Sequence, residues 1–182
     1  MGNLASVYRD LDRLDDAYAL DKRAFEIAKN VLGSHHPYIA ACANNLGLVH
    51  LTKGEFAEAC IKFEHALSIN EKIFDSNHPN VATQLNNLGL AQLGLGNPSI
   101  AYDKFQRALN IDERAFGPSH PNVARDINNI GGLHEALGNF ADAHDAFQRA
   151  LKVMEEYTPN NPNTKIVREN LARVMREMEG KR

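Results

Sequence analysis

Histidine and cysteine are the residue types here most suited to binding a transition metal, and the chain has eight histidines and two cysteines. Three of the histidines, His36, His78 and His120, precede a proline and are spaced 42 residues apart. If each pair begins a helix, equivalent residues of neighbouring packed helices lie about 10 Å apart, whereas a zinc–nitrogen bond is about 2 Å long. We therefore predict that these histidines cap helices, and we expect no metal site and no cofactor.

The sequence contains none of the common motifs that indicate a catalytic site. A phosphate-binding glycine loop, a nucleophile elbow and an HExxH motif are all missing from the 182 residues. Cys42 and Cys60 lack the spacing of a metal or redox motif, so we expect reduced thiols that act as small core residues. We predict that the chain is not an enzyme and has no catalytic residues.

The His-Pro pairs belong to a repeat that runs through the whole chain. Other residues keep the 42-residue step, namely Asn3, Asn45, Asn87 and Asn129, then Ala17, Ala59, Ala101 and Ala143, then Ala24, Ala66, Ala108 and Ala150. Self-similarity at such a period is typical of solenoids, propellers and arrays. We predict a single domain over residues 1–182, with repeats at about 1–35, 36–77, 78–119 and 120–160 and a capping helix at 164–180.

Each repeat carries two helical patterns separated by a short turn. Apolar residues that recur every three or four positions predict first helices over about 37–52, 79–94 and 121–136. Second helices follow at about 15–31, from Phe56 onward, at about 98–115 and at about 140–156. Glycine ends the first helix in three repeats, while Asp12 stands at that turn in repeat one. Such short turns make consecutive helices antiparallel neighbours.

The composition argues against several classes of partner. The formal net charge is −3 with both signs interspersed, which gives no basic surface for nucleic acid. The sequence has no run of about 18 apolar residues, the length needed to cross a membrane. We therefore expect a cytoplasmic protein that binds neither nucleic acid nor membranes. Repeat one begins in mid-helix, which suggests a piece of a longer protein and an N-terminal face through which the chain could self-associate.

The residues within each repeat resemble the tetratricopeptide repeat. They are the leucine-glycine pairs Leu46-Gly47 and Leu88-Gly89, the turn glycines Gly54, Gly96 and Gly138, and an A-x3-F-x2-A pattern at Ala59, Phe63 and Ala66, at Ala101, Phe105 and Ala108, and at Ala143, Phe147 and Ala150. The common form has 34 residues, and the eight extra residues here lengthen the second helix after Ala66. This long form, with HPNVA and LNNLG, is similar to the repeats of kinesin light chains. The resemblance implies an all-α, right-handed superhelical solenoid of antiparallel helix pairs.

The resemblance also implies where a ligand would bind. In such proteins the first helices line a concave groove, and asparagines there hold the main chain of an extended peptide. The matching residues are Asn44, Asn86 and Asn128. The next asparagines, Asn45, Asn87 and Asn129, match a clamp for a terminal carboxylate and rank second, because repeats two and three have no lysine or arginine at groove positions. Either set could instead join one helix to the next by internal hydrogen bonds.

Other groove positions complete this predicted surface. Ala41 and Thr83 are among them. Leu48, Leu51, Leu90 and Leu93 would form an apolar centre that suits an anchor side chain, flanked by the charged Arg9, Arg125 and Glu135. The leucines could alternatively do no more than contact one another across adjacent helices.

We therefore predict a scaffold or adaptor that binds a peptide segment of a partner protein in the concave groove. Two alternatives remain open at this point. One is a regulatory or ligand-sensing arm of a larger signalling ATPase, and the other is a structural module that self-associates.

Overall fold

The computed structural model describes residues 2–180, and for residues 2, 3 and 10 it describes the backbone alone. Within that range the chain forms helices and no strand: α1 Gly2–Asp10, α2 Leu14–Leu32, α3 Pro37–Thr52, α4 Phe56–Ile73, α5 Pro79–Gly94, α6 Pro98–Phe116, α7 Pro121–Ala136, α8 Phe140–Tyr157 and α9 Pro162–Gly180. The predicted all-α fold is confirmed. The second helices run well past the repeat's A-x3-F-x2-A pattern, as α4 does after Ala66, so the extra residues do lengthen them. No helix in the described part of the chain is long and apolar enough to cross a membrane.

The helices group into two compact units, Met1–Asn97 and Pro98–Arg182. In the first unit α1 packs against α2, α2 against α3, α3 against α4 and α4 against α5. In the second unit α6 packs against α7, α7 against α8 and α8 against α9. The connections within the α3–α4 and α7–α8 pairs are only a few residues long, which makes their helices antiparallel. A single domain over 1–182 stays a prediction.

The three His-Pro pairs begin helices, as predicted. In each pair the histidine Nδ1 accepts a hydrogen bond of 3.1 Å from a backbone N–H two residues later: His36 from Tyr38, His78 from Asn80 and His120 from Asn122. Proline follows at the first helical position, where no N–H is needed. The rings of His78 and His120 also stack on Phe74 and Phe116, with 4.3 Å between ring centroids. The capping role of these histidines is confirmed.

The closing helix begins earlier than predicted. The polar sequence before residue 164 suggested a loop, but α9 starts at Pro162. The predicted boundary was wrong because Asn161 replaces the histidine of the other repeats and still caps the helix. Its Oδ1 accepts a hydrogen bond of 2.9 Å from the backbone N–H of Asn163. An asparagine oxygen thus occupies the role of the histidine Nδ1.

The turns between paired helices require a left-handed backbone. Gly54, Gly96 and Gly138 have φ of +74°, +79° and +74°. Asp12, at the equivalent turn of repeat one, has φ of +57° and is the one non-glycine residue with positive φ in the described chain. As expected, repeat one makes this turn without glycine.

The core is built where small residues of one helix meet phenylalanines of the next. Phe63, Phe105 and Phe147 are fully buried. Cys42 and Cys60 are free thiols within this interior, and burial raises the pKa of both. Their predicted role as small core residues is confirmed.

Candidate functional site

A cavity of about 210 Å³ lies between α3, α4 and α5 of the first unit. Five of its lining residues carry carboxamides, namely Asn44, Asn45, Asn70, Asn80 and Gln84, and none of the side chains that the structure describes in its lining is charged. Three lining residues, Ala41, Asn44 and Thr83, are groove positions predicted from the sequence. The face of α3 and α5 that carries this cavity is called the α3–α5 face below.

Asn44 is held in one orientation by α5. The Nδ2 of Asn87 donates a hydrogen bond of 2.7 Å to the Oδ1 of Asn44. In the second unit the Nδ2 of Asn170 donates to the Oδ1 of Asn128 at 3.0 Å. These internal bonds are the alternative that the sequence left open. They use only the oxygen, so the N–H groups of the half-buried Asn44 and Asn128 are the part of each side chain that a ligand can use.

The other predicted asparagines have different surroundings. Asn86 is only 2% exposed, and its Nδ2 donates to the carbonyl oxygen of Ala82 at 3.2 Å. Asn45 donates to the carboxylate of Asp21 at 3.5 Å, while Asn129 is half-buried on α7. Of the first-rank asparagines, only Asn44 lines the cavity.

The four predicted leucines lie on α3 and α5 and are half-buried. Leu48 and Leu51 pack against a buried cluster that includes Phe63 and Leu88. Leu48 and Leu51 therefore have packing partners within the unit without a ligand, as the alternative interpretation allowed.

The three predicted charged residues are all paired within their own units. Arg9 lies 3.8 Å from the carboxylate of Asp21, and the guanidinium of Arg173 binds both carboxylate oxygens of Glu135. Arg125 lies 3.2 Å from Asp112 Oδ2 and 3.0 Å from Asp126 Oδ1. These pairs offset part of the cost of desolvating the buried carboxylates.

Sequence reasoning did not find the buried acids. Asp21 is 1% exposed and stands where the other repeats have phenylalanine, and Asp112 is fully buried. Burial raises the pKa of Asp21, although Arg9 and Asn45 act in the opposite direction. Burial likewise raises the pKa of Asp112 against the effects of Arg125 and Asp126. For Asp21 the signal available in the sequence was the replacement of Phe by Asp in the A-x3-F pattern.

Sequence reasoning also missed Gln84, which lines the cavity. It is 5% exposed, and its Oε1 has no hydrogen-bond partner among the described residues. Comparison of equivalent positions would have marked it, because one repeat earlier the residue is Cys42 and one repeat later it is Asp126.

The antiparallel helix pairs, their left-handed turns and the repeated capping define an α-helical repeat protein. The chain belongs to the tetratricopeptide repeat family, whose model matches residues 1–60, 41–104 and 85–156. No curated protein matches the chain.

Solved structures share this fold. A crystal structure of the nearly identical TPR-like repeats of a predicted kinesin light chain from Podosopora anserina matches with a TM-score of 0.76 and 20% identity, over 100% of this chain and 86% of that one. BtubC (BKLC) from P. vanneervenii matches with a TM-score of 0.77 and 22% identity, over 95% of this chain and 69% of that one. The repeats therefore have the fold of kinesin light chain-like repeats.

Family membership sets the general role. Tetratricopeptide repeats generally mediate protein–protein interaction, and their fold is a non-catalytic interaction scaffold. Proteins are the general class of partner for such a scaffold.

Proposed function

We propose that this chain is an adaptor that binds an extended segment of a partner protein on the α3–α5 face. The observation that carries the proposal is the cavity of about 210 Å³, which has no charge on the described side chains of its lining and includes the predicted groove residues Ala41, Asn44 and Thr83. A peptide main chain presents N–H and C=O groups that must keep hydrogen-bond partners when they leave water. Carboxamides supply both donors and acceptors without adding a charge.

Asn44 has the central position in this proposal. Its oxygen is held by Asn87, so its N–H groups are oriented before the ligand arrives and can donate to a peptide carbonyl. A preoriented donor reduces the conformational entropy that is lost on binding. Asn128, held by Asn170, offers the same type of donor within the second unit.

The remaining predicted residues act around these donors. The half-buried Leu90 and Leu93 on α5 supply apolar surface to an anchor side chain. Arg9, Arg125 and Glu135 join neighbouring helices through their ion pairs, and Asn86 donates a hydrogen bond within α5. Because the segment becomes ordered on binding, part of the contact energy is offset and the affinity is modest.

Selection from a displayed library of random peptides, followed by affinity measurements in solution, tests the proposal. Ala41 is exposed and lines the cavity, so Ala41→Glu places a charge on the face without changing the core. Ser68→Glu, on an exposed position of α4, is the matched control. We expect Ala41→Glu to weaken binding of the selected peptides at least tenfold and Ser68→Glu to leave it unchanged. Equal binding by wild type and Ala41→Glu would overturn the assignment of this face.

Self-association is a second candidate function, favoured by an exposed apolar patch on α2 and the start of α3. Ile27, Val31, Leu32 and Tyr38 are 47%, 74%, 45% and 45% exposed and line a cavity of about 230 Å³. One repeat later, Ile69 takes the place of Ile27 and is 2% exposed, in a buried cluster with Ala28. A second copy of the chain could cover the patch in a similar way.

Light scattering at increasing protein concentration tests this second candidate. A mass that rises toward a dimer in the wild type, and that stays at the monomer value in Val31→Glu, would support it. A monomeric wild type over the whole concentration range would exclude it.

A further inference from the structure

Gln84 and Asn70 are the two buried carboxamides that line the cavity between α3, α4 and α5. Each is 5% exposed. The Nδ2 of Asn70 donates to the carbonyl oxygen of Asn80 at 3.4 Å, whereas the Oε1 of Gln84 has no partner among the described residues. A buried acceptor without a partner costs about 1–3 kcal/mol. A ligand that brings an N–H group to this oxygen recovers that free energy.

We propose that the cavity is a recognition pocket for the primary carboxamide of an asparagine or glutamine side chain of the partner. The proposal rests on the proposed function, because it assigns a side-chain specificity to the same face. The N–H of the incoming carboxamide donates to Gln84 Oε1, and its carbonyl oxygen accepts from Asn44 Nδ2.

The charge of the lining selects a neutral group. Among the side chains that the structure describes, none that lines the cavity is acidic or basic. An ion that enters the cavity loses its water and meets no opposite charge on these lining residues. Burial of an unpaired ion costs about several kcal/mol. A carboxylate or an ammonium group is therefore rejected, while a carboxamide of the same size enters.

The second unit contains an internal counterpart of the proposed interaction. One repeat after Asn70, Thr83 and Gln84, the chain has Asp112, Arg125 and Asp126. There the planar guanidinium of Arg125 donates N–H groups to Asp112 at 3.2 Å and to Asp126 at 3.0 Å. These positions can thus hold a planar N–H donor between them.

The first unit has the same positions with different chemistry. Its acceptors are uncharged carboxamides, and Thr83 replaces the arginine. The Thr83 hydroxyl donates to the carbonyl oxygen of Pro79 at 3.3 Å, within its own helix. A planar donor for Gln84 must therefore come from a ligand, and uncharged acceptors favour an uncharged donor.

The size of the cavity fits one side chain. Its volume of about 210 Å³ exceeds the ~150 Å³ of a cavity that holds benzene and is smaller than the ~300–1,000 Å³ of most small-molecule sites. The ring of Phe74 also lines it and can contact the methylene groups of the side chain. A main-chain amide continues into the peptide at both its nitrogen and its carbon, so it is too bulky to reach the buried Gln84. A primary carboxamide is the end of a side chain and can enter the cavity.

Three small probes test this assignment by NMR titration of the isotopically labelled chain. N-acetylglutamine methylamide carries the primary carboxamide, N-acetylglutamate methylamide replaces it with a carboxylate, and N-acetylglycine methylamide has main-chain amides alone. We expect only the glutamine probe to shift the side-chain NH2 signals of Gln84 and the backbone signal of Thr83. Equal shifts with the glutamate probe, or with the glycine probe, would overturn the proposal.

Substitutions provide the second part of the test. Gln84→Leu should weaken binding of the glutamine probe about fivefold, the effect of about one hydrogen bond. Gln148→Leu, at an exposed position of α8, is the matched control and should bind the probe like the wild type. Thr83→Arg introduces the residue of the next repeat and should block the probe even if Gln84→Leu does not fold. Unchanged binding in Thr83→Arg would contradict the pocket.

The results separate this proposal from the proposed function. If the glutamine probe binds but Ala41→Glu weakens the binding of no library peptide, the pocket stands and the adaptor function fails. If peptides depend on Ala41 but no probe shifts the Gln84 signals, the adaptor function stands and the carboxamide specificity fails.

Discussion

Gly47 of α3 lies against the ring of Phe63 of α4, so closely that a Cβ on Gly47 would be 2.5 Å from the Cε1 of Phe63. Gly131 and Phe147 are related in the same way, with 2.8 Å from the added Cβ to the ring. The two helices of these pairs therefore approach at a distance that only glycine permits. This contact sets the position of α3, and with it the position of Asn44.

We expect Gly47→Ala to destabilise the protein. The overpacking of a methyl group against Phe63 costs about 1–3 kcal/mol, which exceeds the ~0.5–1 kcal/mol that alanine gains over glycine in a helix. Gly132→Ala is the matched control, because its Cβ meets nothing within 4 Å, and it should stabilise the protein. Urea unfolding of both variants gives the two free energies. If Gly47→Ala were more stable than the wild type, α3 and α4 would be able to move apart without a cost in unfolding free energy.

His78→Ala should lower the free energy of unfolding by about 1 kcal/mol, because the cap of α5 is lost. His78→Asn should retain most of the stability, since Asn161 caps α9 through its own side-chain oxygen. Thermal unfolding of the three proteins compares them. Equal losses in the alanine and asparagine variants would assign the effect to the stacking of His78 on Phe74 instead of to the cap.

Asp12→Gly should raise the stability by about 0.5–1 kcal/mol. Asp12 has φ of +57°, a conformation that glycine adopts without steric cost. Asp12→Ala removes the same carboxylate but keeps the strain, so it should give no gain. The midpoint of thermal unfolding decides between them, and an equal gain in the alanine variant would point to charge and not to the backbone.

Asp112 should make stability decrease as the pH rises. Burial raises its pKa in the folded protein above the unfolded value of about 4, so the folded state holds the proton more tightly than the unfolded chain does. Its stabilising contribution is therefore present below about pH 4 and is lost as the pH rises through the folded pKa. Arg125, Asp126 and His120, in decreasing order of effect, favour the charged form of Asp112 but do not reverse the rise of its pKa.

Asp112→Asn removes this titration. The difference in unfolding free energy, variant minus wild type, should increase as the pH rises above about 4 and through the raised pKa of the folded protein. Denaturant unfolding at several pH values measures it, with the same series on Asp103→Asn, at an exposed position of α6, as the control. A difference that is independent of pH would mean that folding does not raise the pKa of Asp112.

Much of the fold could be predicted because the signals within each repeat involve residues that are close in the chain. His-Pro pairs, turn glycines and apolar spacing specify helix starts, ends and inward faces, and the predicted bounds of α3, α5 and α7 match those of the structure. The start of α9 could not be predicted from the polar loop, since the cap by Asn161 depends on the geometry of one hydrogen bond.

The candidate site was only partly accessible to the same reasoning. Repeat position assigned Asn44 and Asn86 the same role, yet Asn44 lines the cavity while Asn86 is 2% exposed. Equivalent positions in a repeat share a backbone but differ in the side chains around them. The neighbours of an asparagine come from another repeat, and burial is a property of those neighbours.

The sequence by itself determined the repeat and the family through residues that recur every 42 positions, and it determined the bounds and caps of α3, α5 and α7 because those depend on residues that are close in the chain. Only the tertiary structure decided that Asn87 holds the oxygen of Asn44, that Arg125 binds two buried carboxylates and that Gln84 borders an uncharged cavity. The Asn87–Asn44 and Arg125–Asp112 contacts join residues 43 and 13 positions apart. A 42-residue period brings such residues together, but only their packing determines which side chains are satisfied and which are left for a partner.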